Sequence, residues 1–399
     1  MKIAVYAIAK NEEQNVPRWL NAVKDADAVY VLDTGSTDRT VELLEAGGVH
    51  VTHWSPDKQF RFDSARNASL DSVPLDFDLC LSLDFDEVLI DGWREPLETF
   101  TGQAANYTLI FSFDKNGIVT CSYPRMAIHK RRGFYWKYPA HEVLVAVNEC
   151  DVELLPVTVV HLPQQQKQAG HYLDLLRIGL EENPKDPRSV QYYARELMYC
   201  RQFPLAIDMF KRHINIEPQE QFRSESFRFM ASMAYELSKY EDSERYYLRA
   251  IYEFPDARES YCDLAFLYFQ TGEYESCIGI LRSALRIEEK PNVPMIFKDE
   301  YYGYWPYHLL AVCYYKLGNT FKGDEHLRFA VDQCNGDLPE ALLNDLIRVG
   351  IHVHSSSEIS GIHETAEQER FSSPVEAAPE AVSRAVSEVE PPSSSGEAE

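Results

Sequence analysis

Short apolar runs alternate with segments of helical periodicity from the N-terminus to Pro163. Runs of this length are typical of buried strands, and the segments between them are typical of helices. The alternation predicts a mostly parallel sheet covered by helices, and later runs near 122–130, 141–146 and 152–160 predict an antiparallel addition. The first strands are expected at Lys2–Ala9, Ala28–Asp33, Val49–Trp54, Leu79–Asp84 and Tyr107–Phe113, with helices after residues 11, 38 and 64.

Beyond Pro163 the strand pattern stops, and amphipathic helices follow one another in pairs. Similar aromatic and acidic segments recur at Tyr240 and Tyr274, a spacing of 34 residues. Because that spacing is the tetratricopeptide period, Gln164–Gly350 is predicted to form an α-solenoid of about four helix pairs. A generic helical bundle is the alternative interpretation of the same pattern.

The last part of the chain, from Ser355 to Glu399, is rich in Ser, Glu, Ala and Pro and has few large apolar residues. A segment of that composition buries too little surface to offset its ordering entropy, so it is predicted to be disordered. The sequence therefore divides into residues 1–163, residues 164–350 and an acidic tail of residues 355–399.

Composition and charge narrow the class of protein. The formal net charge is −24, and a field of this sign repels phosphate backbones, which argues against general nucleic-acid binding. The eight cysteines include no Cys-x-x-Cys pair and are expected to be reduced thiols. The N-terminal apolar run is too short for a signal peptide, and no run approaches the roughly 20 residues that cross a bilayer. We therefore expect a cytoplasmic protein without a membrane span.

The most informative segment is the apolar run that leads into Asp84-Phe85-Asp86-Glu87. A buried strand ending in this way brings Asp84 and Asp86 to the sheet edge where open α/β sheets bind ligands. Two neighbouring carboxylates repel each other unless a cation lies between them, and Mg²⁺ or Mn²⁺ suits a site that also holds phosphates. The alternative is a strand end with a solvated acidic turn.

Five short polar segments stand out in the first domain. They are residues 9–13 (AKNEE), 31–38 (VLDTGSTD), 62–67 (FDSARN), 83–87 (LDFDE) and 140–142 (AHE). Their order and spacing resemble the family 2 glycosyltransferases, in the bacterial and viral branch that joins a GT-A catalytic domain to tetratricopeptide repeats. The resemblance implies an α/β GT-A fold for residues 1–163 and transfer of a hexose from a nucleotide-sugar, for which we expect a UDP-sugar.

Besides Asp84, four residues are candidates for binding the nucleotide. Asp33 ends the second strand, where its carboxylate can accept hydrogen bonds from a uracil or ribose; the alternative is that it caps the following loop. Arg66 precedes the Asp84 strand and can contact the nucleotide or orient the acidic pair. An internal salt bridge from Arg66 to Asp84 or Asp33 is the alternative, and both roles are compatible. Asn11 and Glu12 resemble the nucleotide-proximal pair of the family; alternatively, they cap the next helix.

The resemblance also assigns roles within the acidic pair. It implies that Asp84 faces the ribose and that Asp86 binds the metal ion, which acts as a Lewis acid on the departing diphosphate. His161 ends the last strand, where a histidine completes the metal shell in many GT-A enzymes. The alternative for His161 is a half-buried residue at a strand end.

Inversion at the anomeric carbon, which the resemblance implies, requires a general base near the sugar. Glu142 is the first candidate, His141 the second and Asp114 a distant third. The alternative role for Glu142 is to orient substrate hydroxyls rather than to accept a proton.

Two clusters bear on the acceptor. The basic patch Arg125–Lys137 is interpreted as a solvated hairpin with one arginine near the diphosphate, or as an acceptor site for an anionic chain, including DNA. The aromatic residues between Tyr301 and Tyr307 are interpreted as solenoid packing, or as a surface for a peptide or sugar. The basic patch comprises Arg125, His129, Lys130, Arg131, Arg132 and Lys137, with Phe134, Tyr135 and Trp136 between them.

The predicted function is a metal-dependent, inverting glycosyltransferase in the cytosol of a bacterium or a virus-infected host. Its repeats help to select the acceptor, which is a peptide or protein, a glycan, or modified bases of viral DNA. A tetratricopeptide scaffold with an inactive GT-A domain is the alternative from another class, although Asp84, Asp86 and Arg66 argue against a decayed site. A nucleotidyltransferase uses similar carboxylate pairs, but no Gly-rich triphosphate loop follows the first strand.

Overall fold

The chain folds into two compact units, Met1–Glu217 and Pro218–Glu399, each described here by itself. The structure is a computed structural model. It describes residues 1–56, 58–113, 119–162, 169–293, 295, 297–334, 338–348, 351–354 and 358–361.

The first unit is built on a mixed sheet whose eight described strands follow the order β3-β2-β1-β4-β7-β6-β10-β5. In chain order these strands are β1 (Ile3–Ala9), β2 (Ala28–Asp33), β3 (His50–His53), β4 (Leu79–Ser82), β5 (Glu87–Leu89), β6 (Ala104–Phe113), β7 (Val119–Lys130) and β10 (Val152–His161). A separate antiparallel pair consists of β8 (Phe134–Lys137) and β9 (Val143–Ala146).

The half of the sheet from β3 to β4 is parallel, as the alternation of apolar runs predicts. Strand β7 is antiparallel to β4 and β6, and β9 is antiparallel to β8, which confirms the antiparallel addition for the runs near 122–130 and 141–146. For the run near 152–160 the prediction is wrong in part, because β10 is antiparallel to β5 but parallel to β6. Two strands were not predicted, β5 and β8. The fourth strand is shorter than expected: it ends at Ser82, so Asp84 and Asp86 lie in the turn between β4 and β5 rather than on the strand.

Buried aliphatic and aromatic side chains hold this sheet to its helices. Strand β1 is almost wholly buried, because every residue of Ile3–Ala9 except Ile8 lies in the core. Trp19 of the first helix is fully buried and stacks on Phe85 at a ring-centroid distance of 4.5 Å. This stacking fixes the turn that carries the acidic pair against the helix layer. The helices of the unit are α1 (Val16–Ala22), α2 (Thr40–Ala46), α3 (Phe62–Ser72), α4 (Arg94–Glu98), α5 (Leu173–Glu182), α6 (Pro187–Tyr199) and α7 (Phe203–Ile216).

Three of these helices, α5 to α7, follow the sheet in sequence yet belong to the first compact unit. Asp186 caps α6 by accepting a hydrogen bond from the Ser189 N–H at 2.8 Å, and Pro187 occupies the first helical position. Both features favour a helix start at this point. The predicted boundary at residues 163 and 164 lies outside the described residues and stays a prediction.

The second unit consists of helix pairs, as the 34-residue spacing predicts. Tyr240 and Tyr274 open the second helices of two successive pairs. Ala250, Ala284 and Ala330 are fully buried, so second helices can approach their partners closely. The unit is therefore a tetratricopeptide-like helical repeat. Its helices are α8 (Glu220–Glu236), α9 (Tyr240–Glu253), α10 (Arg258–Gln270), α11 (Tyr274–Ala284), α12 (Asp299–Tyr302), α13 (Trp305–Lys316), α14 (Thr320–Asp332) and α15 (Glu340–Arg348).

The aromatic cluster near residues 301–307 packs within this repeat. Tyr301 and Trp305 are buried, and the Tyr301 hydroxyl donates to Asp263 at 2.8 Å. Tyr302 donates its hydroxyl proton to Glu259 at 3.3 Å. Packing in the solenoid therefore accounts for much of the cluster, which is the first of the two interpretations.

The chain beyond Arg348 is described only in part. Ile351–His354 and Glu358–Gly361 pair as a short antiparallel hairpin, β11 and β12, so four residues of the tail predicted to be disordered form a strand. The rest of that predicted tail lies outside the described residues. None of the helices in the described part of the chain combines the length and apolar character that a membrane crossing requires. All eight cysteines are unbridged thiols.

Candidate active site

Arg66 lies at the centre of the candidate site and joins residues from three parts of the first unit. Its guanidinium donates from Nη2 to Asp84 Oδ1 at 2.7 Å, from Nη1 to Ser82 Oγ at 3.2 Å and from Nε to Glu142 Oε1 at 2.5 Å. The Arg66 side chain is only 5% exposed. Arg66 lies on α3, and its guanidinium contacts two of the predicted site residues, Asp84 and Glu142.

A second arginine, which is half-buried, completes this network. Arg125 of β7 donates from Nη2 to Asp84 Oδ2 at 3.4 Å, and from Nη1 to Glu87, whose carboxylate also accepts the backbone N–H of Asp84 at 3.1 Å. Both oxygens of Asp84 thus face guanidinium groups. Burial alone would raise the pKa of Asp84, but the charges of Arg66 and Arg125 outweigh it and hold that pKa far below its ordinary value. Asp84 is therefore a permanent carboxylate.

Asp86 lies apart from this network. Its Oδ2 is 3.2 Å from Nε2 of His161, and the two side chains are 37% and 17% exposed. Burial lowers the pKa of His161, but the hydrogen bond and charge of Asp86 outweigh that effect and raise it. The acidic pair of the sequence is thus divided: arginines neutralise Asp84, and Asp86 faces solvent beside a histidine.

Because Asp84 is paired with arginines, Asp86 and His161 are the residues left to bind a divalent cation. Among the described residues, no group of three or more His, Cys, Asp or Glu side chains could hold a metal ion by itself. Asp86 and His161 nevertheless offer one carboxylate oxygen and one imidazole nitrogen, a donor pair that Mn²⁺ accepts. A divalent cation in a phosphate site is commonly held by one or two protein ligands together with substrate phosphates and water. The donor set therefore fits Mn²⁺ or Mg²⁺ only when a phosphate-bearing ligand supplies the remaining oxygens.

Asp33 is the last residue of β2 and is buried beside the loop that follows. Its carboxylate accepts N–H groups of Gly35 and Ser36 at 3.1–3.3 Å and faces His53 Nδ1 at 3.3 Å. Gly35 adopts φ of 102°, a turn conformation that favours glycine. Burial would raise the pKa of Asp33, yet these donors lower it below its ordinary value. The loop-capping interpretation of Asp33 is confirmed, and its role towards a nucleotide stays a prediction.

Asn11 and Glu12 fasten this loop to the end of β1. The Thr37 N–H donates to Asn11 Oδ1 at 2.8 Å. The backbone of Asn11 is left-handed, with φ of 58°. The Glu12 backbone N–H donates to Thr40 Oγ1 at 2.7 Å, and its carboxylate accepts from Asn15 at 2.7 Å. Burial, followed by the charges of Asp86 and Asp84, raises the pKa of Glu12. Glu12 therefore lies within the electrostatic reach of the acidic turn.

The two candidate bases differ in their surroundings. The Glu142 side chain is 10% exposed, and its Oε1 is held by Arg66, whereas Oε2 accepts no hydrogen bond from a residue that the structure describes. His141 is exposed, has φ of 52°, and its ring lies 4.7 Å from that of Tyr192. Only Glu142 therefore touches the network around Asp84. Asp114, the third candidate, lies outside the described residues.

A series of buried side chains, linked by hydrogen bonds, packs against Arg66. The guanidinium lies over the Trp136 ring at 4.8 Å, and Trp136 Nε1–H donates to the Tyr6 hydroxyl at 2.8 Å. The Tyr6 hydroxyl is 2.9 Å from His129 Nε2, and His129 Nδ1 is 2.8 Å from the Lys130 carbonyl oxygen. Because that carbonyl can only accept, Nδ1 carries the proton and Nε2 accepts from Tyr6. Asn67 fixes Trp136 by exchanging two hydrogen bonds with its backbone, at 2.7 and 2.8 Å.

The basic patch Arg125–Lys137 is therefore not one continuous surface. Arg125 is engaged with Asp84, and His129 is fully buried. Phe134 and Trp136 are also buried, whereas the Tyr135 ring is 41% exposed. Two of the three rings that could stack on DNA bases are therefore buried, which weakens the interpretation of this patch as a DNA-binding surface.

Sequence reasoning missed several members of the site. Glu87 was quoted only as the end of an acidic run, although it is the buried partner of Arg125. Trp136 was assigned to the basic patch rather than to the support of Arg66. Ser82 carried no signal, because a serine at the end of an apolar run has no pattern of its own.

Comparison with known proteins concerns the stretch of chain that contains this site. The sequence model of "Glycosyl transferase family 2" matches residues 5–144, the stretch that contains Arg66, Asp84 and Glu142. A TPR repeat-containing protein of Synechococcus elongatus is 29% identical over 147 residues, which is 36% of this chain and 35% of that protein. The aligned region thus spans about a third of the length of this curated relative.

Solved structures resemble the chain weakly. MamA 41-end of Desulfovibrio magneticus RS-1 is 14% identical, with a TM-score of 0.32, over 40% of this chain and 82% of that one. YrrB, described as a TPR protein with an unusual peptide-binding site, is 14% identical, with a TM-score of 0.33, over 44% of this chain and 81% of that one. The family match and the helix pairs described above lead to one assignment: residues 5–144 form a family 2 glycosyltransferase domain, which tetratricopeptide-like repeats follow in the chain.

Proposed function

We propose that this protein is a metal-dependent, inverting glycosyltransferase that moves a hexose from a nucleotide-sugar, a UDP-sugar by preference, to an acceptor. The observation that carries the proposal is the contact of one buried arginine, Arg66, with both Asp84 and Glu142. This contact brings the predicted donor-side carboxylate and the predicted base into one site within the glycosyltransferase domain.

Asp86 and His161 are the proposed protein ligands of Mn²⁺ or Mg²⁺. When bound together with the donor, the cation supplies positive charge at the diphosphate leaving group, as a Lewis acid does. Arg66 and Arg125 already neutralise Asp84, so Asp84 is free to act towards the ribose rather than towards the metal. Asp33, Asn11 and Glu12 shape the loop that faces the nucleotide in this proposal.

Glu142 is the proposed base. Its Oε2 takes the proton of the acceptor nucleophile as that nucleophile forms its bond to the anomeric carbon. The bond between the anomeric carbon and the phosphate oxygen breaks at the opposite face, so the configuration inverts. Arg66 keeps its own proton, because the charges of Asp84 and Glu142 raise its pKa against the opposing effect of burial. Its part is to hold Glu142 in position.

The repeats are proposed to help select the acceptor, because stacked helix pairs present extended concave surfaces. A peptide or protein and a glycan are the acceptor classes that we retain first. Modified bases of viral DNA are retained last, since the basic patch offers Tyr135 alone as an exposed ring.

Incubation with a panel of nucleotide-sugars and Mn²⁺, scored by release of nucleoside diphosphate, tests the proposal. We expect slow hydrolysis of one donor without acceptor, and its loss in excess chelator. The alternative function is a tetratricopeptide scaffold whose glycosyltransferase domain only binds. Donor binding without turnover under every metal and acceptor condition would favour that alternative, and no binding of any donor would overturn both.

A further inference from the structure

The loop that carries Glu142, residues 138–142 between β8 and β9, has an unusual backbone. Tyr138 has φ of 86° and His141 has φ of 52°. Left-handed backbone is uncommon for residues other than glycine and persists only where the surroundings impose it. Something outside the loop therefore holds it, and two sets of contacts do so.

The first set comes from the glycosyltransferase domain itself. The Phe62 N–H donates to the Pro139 carbonyl oxygen at 3.0 Å, and Arg66 holds the Glu142 carboxylate. These contacts restrain one side of the loop from the start of α3.

The second set comes from α5 and α6, which lie beyond the matched residues 5–144 in the sequence. Arg188 Nη2 donates to the His141 carbonyl oxygen at 3.1 Å, and its guanidinium lies over the rings of Tyr138 and Tyr192 at 5.5 and 4.4 Å. The Tyr138 hydroxyl donates to Asp186 Oδ1 at 3.2 Å, and Asp186 is also the N-cap of α6. Both left-handed residues are thus tied to α6.

Helix α5 supports the same loop by close packing. Gly179 is buried within α5, and a Cβ added there would lie 3.2 Å from Cδ and 3.6 Å from Cγ of Pro139. Few real Cβ atoms approach another atom that closely, so the absence of a side chain lets Pro139 rest directly on the helix. The contact fixes the distance between the loop and α5.

We propose that Arg188 and Gly179 are positioning residues for Glu142, so that α5 and α6 are part of the catalytic site although their sequence has the character of the repeats. The inference rests on the proposed function, in which Glu142 is the base. Displacement of a reacting group by about 1 Å can lower a rate about 100-fold, so small movements of this loop matter.

Four variants of the full-length chain test the inference. Arg188→Ala removes the donor to the His141 carbonyl, and Arg188→Lys keeps an N–H donor and the charge. Gly179→Ala adds a methyl group that crowds Pro139, and it raises the helix propensity of α5. Arg177→Ala is the matched control, because this arginine lies on α5 and pairs only with Asp174 and Glu181 on its own exposed helix face among the described contacts.

Two readouts are measured: sugar transfer at saturating donor, and hydrogen exchange of the backbone amides of residues 137–146. For Arg188→Ala we expect at least a tenfold loss of kcat, donor KM within about twofold of wild type, and faster exchange in the loop. Arg188→Lys should recover most of the activity. Gly179→Ala should lose activity at an unchanged or higher melting temperature, and Arg177→Ala should match wild type.

Equal transfer and equal loop exchange in Arg188→Ala, Gly179→Ala and the control would overturn the inference. Loss of donor affinity in step with kcat would also overturn it, because positioning of the base does not require contact with the donor. If the wild type turns over no sugar, the proposed function fails, and loop exchange alone then decides whether α5 and α6 hold the loop. If Arg188→Ala does not fold, Arg188→Lys and Gly179→Ala carry the same comparison.

Discussion

Arg66 and Glu142 are separated by 76 residues in the chain and meet through a hydrogen bond of 2.5 Å between Nε and Oε1. The same guanidinium binds Asp84, so the two carboxylates share one buried cation. A carboxylate held in this way keeps one oxygen for the arginine and presents the other to a substrate. The arrangement is compatible with a base of fixed orientation, and the first two predictions separate that role from a purely structural one.

Replacement of Arg66 by alanine should destabilise the first unit strongly. Removing one partner of a buried ion pair leaves uncompensated charge and typically costs about 3–5 kcal/mol. Arg66→Lys should fall between alanine and wild type, because an ammonium cannot reproduce the planar fork. Chemical denaturation measures the free energy of unfolding. Arg39→Ala, which breaks an exposed pair with Glu42, is the control and should leave the free energy of unfolding almost unchanged. A similar cost in both alanine variants would contradict the central role of Arg66.

Glu142→Gln should lower transfer by roughly 10²–10⁴-fold, the usual contribution of a general base. Glutamine keeps an oxygen that can accept from Arg66 Nε, so stability should fall only by about 1–3 kcal/mol, as for one charged hydrogen bond. Donor affinity, measured by calorimetry, should survive. If transfer stays within a few-fold of wild type, the base is elsewhere and His141 becomes the candidate. If donor affinity collapses with transfer, Glu142 belongs to the donor site.

Asp86→Asn should abolish metal-dependent donor turnover while leaving the fold intact. The amide oxygen can still accept from His161, but the neutral side chain binds a divalent cation much less tightly. Titration with Mn²⁺ in the presence of the nucleoside diphosphate measures the loss. Asp91→Asn is the control, since Asp91 is exposed and, among the residues that the structure describes, forms an ion pair with Lys24 alone, at 3.5 Å. Full activity of wild type in excess chelator would refute the metal assignment.

Stability should fall as the pH is lowered from about 6.5 to about 4, in part because of His129. Burial lowers the pKa of His129 to about 4, so the unfolded chain binds a proton in this range while the folded chain does not. Stability is therefore complete above the unfolded pKa and is lost as the pH falls towards the folded pKa. The loss from this residue approaches roughly 3 kcal/mol, at 1.36 kcal/mol per pKa unit.

The comparison of wild type with His129→Gln isolates this contribution. Glutamine offers Tyr6 an acceptor but does not titrate, so its unfolding free energy should depend less steeply on pH over that range. His213 adds a slope of the same sign in both proteins, because burial lowers its pKa to about 4 as well. Parallel pH profiles for the two proteins would show that His129 titrates normally.

A chain of residues 1–217 should fold cooperatively, whereas a chain of residues 1–163 should not reach the same stability. The shorter chain loses the contacts of Arg188 and Asp186 with the loop and the pair of Arg61 with Glu182. Thermal unfolding followed by near-ultraviolet circular dichroism compares the two. Equal transitions would place the domain boundary near residue 163, as the change in sequence pattern suggests.

Much of the fold follows from apolar periodicity, and the exceptions have physical causes. Strand β2 occupies the predicted residues Ala28–Asp33, because a buried parallel strand is a continuous apolar run. Strand β5 has three residues and begins with Glu87, so it carries no recognisable period. Its existence depends on pairing with β10, which local sequence does not encode.

Some residues of the candidate site could be predicted one by one, but their arrangement could not. Asp84, Asp86 and Glu142 were identified from their neighbours in sequence. Their separate environments were not, because the arginines that distinguish Asp84 from Asp86 come from α3 and β7. A local pattern also gives Arg125 and His129 the same basic character as Arg132, although Arg125 is half-buried and ion-paired, His129 is buried and Arg132 is exposed.

The pairing of β5 with β10 aligns Glu87 with His161, and the Leu162 N–H donates to the Asp86 carbonyl oxygen at 2.7 Å. Side chains alternate between the two faces of a strand, so a shift of one residue exchanges the inner and outer sets. Deletion of a single residue between Ser82 and Glu87 would turn Glu87 away from Arg125 and displace Asp86 from His161 together. A single substitution in this turn therefore affects one half of the site, at Asp84 or at Asp86, whereas a change in its length disrupts both halves at once.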